Sequence, residues 1–210
     1  VDRFGDSAKV QTLLVMGASL PIAVSERLVV KVSDKLIDRL VTHHELSVGL
    51  ADDLVLQIRE RATLGLLSAD SNDSDVEMLV EALVRNRRST PSILLRAICV
   101  GDLGFFEAAL AKMAGISVLN ARRLIHDKGA LGFKSLYERC QLPASLHHAY
   151  QIALDVLRET ERERIDGDPN ASTRRMLERV LTQFEDLVDD ESLADVDFLL
   201  NRPGRAANAA

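Results

Sequence analysis

Gly101-Asp102-Leu103-Gly104-Phe105 returns further along the chain as Gly129-Ala130-Leu131-Gly132-Phe133, and each copy stands between two stretches of helical patterning. A glycine break that recurs between paired helical segments marks a repeated helix-turn-helix unit. The spacing predicts successive hairpins over 91–114 and 117–140. In each copy the first glycine reads as a left-handed helix cap. The leucine reads as a staple on the second helix, and the phenylalanine as an anchor between the two helices. The second glycine reads as the point where the paired helices approach closely. Bulk at Gly104 or at Gly132 is therefore expected to lower stability. Two copies are too few for a self-supporting array, so flanking helices must complete the core. The predicted fold is all-α: an irregular helical-repeat, HEAT-like array of antiparallel helix hairpins.

Composition agrees with this. Of 210 residues, 47% are apolar but only 4% are aromatic, with no tryptophan. A core of Leu, Val, Ile and Ala suits helix-on-helix packing better than a β-sandwich. The formal charge of −6 argues against nucleic acid, because an acidic chain repels phosphate backbones unless a basic patch offsets it. Arg85, Arg87 and Arg88, then Arg122, Arg123 and Lys128, are the candidate patches. They read equally as ordinary helix ends, where cations are favourable. No membrane contact is expected, since no segment reads as a signal peptide or as a bilayer-spanning run. Cys99 and Cys140 lie far apart among apolar neighbours and read as reduced core residues of a cytoplasmic protein.

Outward from the repeat, Leu20-Pro21 opens a helix, and Ser33 is placed as the cap of another carrying Leu36, Ile37, Leu40 and Val41. Ser47 caps a long helix to about Ser68, with Leu50, Leu54, Ile58, Ala62 and Leu66 as its packing stripe at every fourth residue. Residues 69–74 read as a loop, followed by a capping box of Ser74 with Glu77. Thr90 with Pro91, Gly115 and Ser117 mark the bounds of the repeated hairpins. Leu142-Pro143 opens a helix to about 165, core-like at first and solvent-facing from Arg158 onward. A strong amphipathic helix at 173–188 is read as a cap on the array or as a homodimer contact. This divides the chain into an N-terminal helical bundle (1–70), repeated hairpins (71–165), C-terminal capping or association helices (166–201) and a disordered tail (202–210), read together as one continuous domain.

No phosphate-binding loop, nucleophile elbow or metal-ligand spacing is present, so no cofactor, metal or catalytic set is expected. The pairs His43-His44 and His147-His148 are adjacent, and neighbouring helical residues point about 100° apart, which does not suit chelation. Cys99 and His126 admit a Cys-His pairing across the repeat, although two core-lining positions explain them as well. His44-Glu45-Leu46 resembles the phosphoacceptor segment of histidine kinases. That chemistry requires an exposed imidazole on a helix, oriented by an adjacent acid. The segment departs from the pattern: Gly49 stands where proline is usual, and no ATP-binding motif follows. His44 is the one candidate site residue.

Leu94-Leu95-Arg96-Ala97 through Gly101-Asp102-Leu103-Gly104-Phe105-Phe106, together with Asn120-Ala121-Arg122-Arg123-Leu124-Ile125, resembles a family found in alphaproteobacteria and known as a domain of unknown function. Leu20-Pro21 through Val24-Ser25-Glu26-Arg27-Leu28 is similar to it as well. The resemblance implies an all-helical, repeat-like fold and a bacterial cytoplasmic setting, and it brings no catalytic residues. The expected function is a non-enzymatic helical-repeat scaffold that binds a protein partner, in bacterial signalling. The alternative is a histidine phosphotransfer-type domain with His44 as acceptor.

Overall fold

The computed structural model describes residues 20–44, 47–67, 71–127, 131–163, 178–179 and 182, with only the backbone described for His44 and for 160–163. Among these residues the chain is entirely helical, with no strand. The helices are α1 (Ile22–His44), α2 (Val48–Leu64), α3 (Asp73–Arg85), α4 (Pro91–Cys99), α5 (Leu103–Ala114), α6 (Val118–Ile125), α7 (Leu131–Arg139) and α8 (His147–Glu163). Two compact units divide between Ala82 and Leu83, within α3. The stretches 1–19, 183–210 and most of 173–188 lie outside the described residues, as does Gly129.

In the first unit, α1 and α2 pack against each other. Ser33 does not start a helix. It lies inside α1, which runs unbroken from Ile22 to His44, and its hydroxyl donates to Val29 O at 2.6 Å. A serine in mid-helix can satisfy itself on the carbonyl four residues back, which removes the need for a break. Ser47 caps α2 as expected, accepting from Leu50 N, but the helix stops at Leu64 rather than near Ser68. The start of α3 is also displaced. Asn72 Oδ1 accepts from Asp75 N at 3.0 Å, and Asp75 Oδ2 accepts from Asn72 N at 3.3 Å. The reciprocal capping pair is thus Asn72 with Asp75, not Ser74 with Glu77.

In the second unit, the predicted bounds follow from local chemistry. Thr90 caps α4, with Pro91 in its first turn. Gly101, at φ 82°, ends it: Asp102 N donates to Ala97 O at 2.8 Å and Gly101 N to Ile98 O at 2.9 Å. This is the doubly bonded C-terminal motif that needs a left-handed residue. Asp102 then caps α5, its Oδ1 accepting from Phe105 N at 3.0 Å. Burial raises the Asp102 carboxyl above its ordinary range, while the Phe105 N–H pulls it back down. Asp102→Ala should cost about 1 kcal/mol, read as a lower urea midpoint. Gly115 closes α5 and Ser117 opens α6. Pro143 leads into a short 3-10 turn, Ala144–Leu146, and the helix proper begins at His147.

Two roles assigned within the repeat need correction. Leu131 is 73% exposed and staples nothing. A Cβ on Gly104 would meet only Asp102 Oδ1 at 3.9 Å, so no helix approaches there. At Gly132 a Cβ would fall 2.8 Å from Leu124 O, which makes it the close approach of α6 and α7.

The core of this unit is aromatic at its centre. Phe106 lies 6.0 Å from Tyr150 and 6.4 Å from Phe133 by ring centroids. Tyr137 lies 5.3 Å from Tyr150 and 5.0 Å from His147. The repeat aligns Phe105 with Phe133, yet it is the next ring, Phe106, that meets Phe133; Phe105 is fully buried as well. Tyr137 Oη donates to Pro143 O at 2.6 Å, and Tyr150 Oη to Pro91 O at 2.5 Å. The second of these bonds, with the packing of α4 on α8, joins the first residue of α4 to α8.

Candidate functional site

Two features stand apart from ordinary packing, one in each unit. The first is on α2. The buried face of this helix is Ala51, Val55, Glu60, Thr63 and Leu64. The stripe expected to pack is exposed instead: Leu50 by 56%, Leu54 by 40% and Ile58 by 44%. Ala51 and Val55 have short side chains, which suits close packing on α1. Arg59 reaches Asp34 of α1 at 3.9 Å from the same side. Leu50, Leu54 and Ile58 therefore run as a part-exposed row along regular helix.

The second feature is a buried carboxylate. Glu107 sits in Phe105-Phe106-Glu107-Ala108-Ala109-Leu110, within the apolar body of α5, and is 2% exposed. A buried charge must be paired. Arg122 and His126 are one helical turn apart at the end of α6 and so share a face. Arg122 Nε donates to Glu107 Oε2 at 2.7 Å, and His126 Nε2 lies 2.8 Å from Oε1. Arginines finish the neighbouring helix ends. Arg139 Nε donates to Ala114 O at 2.7 Å, closing α5, and Arg158 Nη2 donates to Ile125 O at 2.8 Å, closing α6. Arg158 is thus turned onto α6 rather than out to solvent.

Beside this end of α6 lies a cavity of about 150 Å³. Ile125, Phe133 and Leu154 form its apolar wall, and Asp127, Gln151, Asp155 and Arg158 its polar one. Asp155 and Arg158 are themselves paired at 2.8 Å.

Glu107 was missed in the sequence reading, although a lone acid within an apolar helical run is a recognisable signal. Arg122, read only as part of a basic cluster, is its counter-ion. The Cys99–His126 pairing is replaced: His126 faces Glu107. Burial pushes the Cys99 thiol up to about 12 and Cys140 up to about 11, so both stay protonated and poorly nucleophilic at neutral pH. Cys140 Sγ lies 3.5 Å from Leu110 O, as a donor would. His147 stacks on Phe133 at 5.4 Å, and burial holds its pKa below the ordinary value. His44 is the last residue of α1, and its side chain lies outside the described set. Among the described residues, no group of three or more His, Cys, Asp or Glu is placed to hold a metal ion. No single described helix is long and apolar enough to cross a membrane.

An all-helical protein with a buried carboxylate node and a part-exposed apolar stripe is the class that these observations define. The chain belongs to DUF2336, a family described as an uncharacterised protein conserved in bacteria, whose profile matches residues 1–189. No curated protein and no solved structure matches it at a significant level.

Proposed function

We propose that the protein is a non-enzymatic helical scaffold that binds a protein partner in the bacterial cytoplasm, as part of signalling. The observation that carries this reading is the row Leu50, Leu54 and Ile58, exposed along α2. Anchors at every fourth residue are what one helix offers to the groove of another protein. A contiguous apolar patch left uncovered on a polar surface is the usual mark of such a contact. In this reading the hairpins α4–α5 and α6–α7 are the HEAT-like elements that stiffen the scaffold, and reduced Cys99 and Cys140 suit a reducing compartment.

The test compares the whole chain with a Leu54→Glu, Ile58→Glu double variant. Both side chains are already part-exposed, at 40% and 44%, so the unfolding free energy from urea titration should change by no more than about 0.5 kcal/mol per site. A specific partner recovered with the wild-type chain should be lost with the variant. Equal recovery by both chains would remove α2 from the proposal.

A further inference from the structure

Phosphoryl acceptance by histidine calls for a solvent-reachable imidazole, a carboxylate that fixes its tautomer, and a nearby cation to meet incoming negative charge. His126, Glu107 and Arg122 bring these together at the end of α6. An ionised carboxylate only accepts hydrogen bonds, so the 2.8 Å contact to Glu107 Oε1 puts the imidazole proton on Nε2. The lone pair is then on Nδ1, on a side chain that is 39% exposed. Arg122, 56% exposed, holds the other carboxylate oxygen at 2.7 Å and sets a positive charge beside the ring. The Asp127 carboxylate is turned aside, toward Gly132 on α7.

We propose that His126 is a phosphoryl acceptor, with Glu107 as its positioning residue and an activated phosphoryl compound, acyl phosphate or phosphoramidate in type, as donor. Nδ1 forms the bond to phosphorus. The bond from phosphorus to the donor's acyl oxygen or amide nitrogen breaks, and that atom leaves with the electron pair. A departing nitrogen also takes a proton from water. The proton on Nε2 stays in place, and the resulting phosphoimidazolium is matched in charge by Glu107.

The experiment incubates the full chain with acetyl phosphate and, separately, with potassium phosphoramidate, then maps acid-labile phosphate by mass spectrometry at alkaline pH. One phosphoryl group on the peptide containing His126 is expected from at least one donor, and the donor that works identifies the leaving-group type. His126→Asn should abolish it, and His44→Asn should leave it unchanged. Glu107→Gln should slow labelling on the order of 100-fold, because the imidazole loses both its fixed tautomer and the charge that matches the phosphoimidazolium. It should also shift the imidazole nitrogen resonances of His126 from a single tautomer to a mixture, which a purely structural role would not do. If Glu107→Gln does not fold, Arg122→Gln replaces it, with labelling again slowed. No label from either donor, or a label on His44 or another histidine, overturns the proposal. Partner binding through α2 is unaffected by either result.

Discussion

Gly132→Leu is expected to destabilise the second unit by about 3 kcal/mol, the upper end of what overpacking causes, while Gly104→Ala is expected to be neutral or to gain up to about 1 kcal/mol. The two glycines occupy the same place in the repeat but not in space. A Cβ at position 132 would stand 2.8 Å from Leu124 O and 3.0 Å from Asp127 Cβ. The first of these is backbone, which cannot rotate away, so α6 and α7 must separate. At position 104 the nearest atom is 3.9 Å away, in ordinary contact, and alanine removes the conformational freedom that glycine has in the unfolded chain. Urea unfolding of the two variants decides the matter. Equal losses at both sites would mean that the close approach is not confined to Gly132.

Phe106→Ala should lower stability by about 3–5 kcal/mol, the range for truncating a fully buried aromatic residue. The ring is 0% exposed and lies against two other elements, with Phe133 on α7 and Tyr150 on α8 as its ring neighbours. Truncation leaves a void between elements whose backbones are already tied, so collapse around it is limited. The denaturant midpoint should fall with little change in slope. A loss below about 1 kcal/mol would mean that the site refills and that the aromatic cluster is not the centre of the core.

The parts of this fold that could be read from the sequence are those set by near neighbours. Thr90, Ser117, Gly101 and Gly115 act through bonds to residues within one turn, so their chemistry names the helix ends directly. Ser33 misled because a serine satisfies its own helix as readily as it starts another. The α2 stripe misled for a different reason. A four-residue period identifies a coherent face but does not say whether anything covers it, and the face that is buried is the narrower one of Ala51 and Val55. For Glu107 the signal was present in the sequence, but its partners lie 15 and 19 residues away. Only the packing of α5 against α6 brings them into reach.

The hydrogen bond from Tyr150 to Pro91 has an evolutionary corollary. Stacked repeats ordinarily lengthen by duplication, each new copy settling on an open end. Here α8 returns to the first residue of α4, so a third Gly-x-Leu-Gly-Phe hairpin set between them would have to part Tyr150 from Pro91. A further copy placed there would cost this bond, whereas divergence between the two existing copies, as at Gly104 and Gly132, leaves it intact.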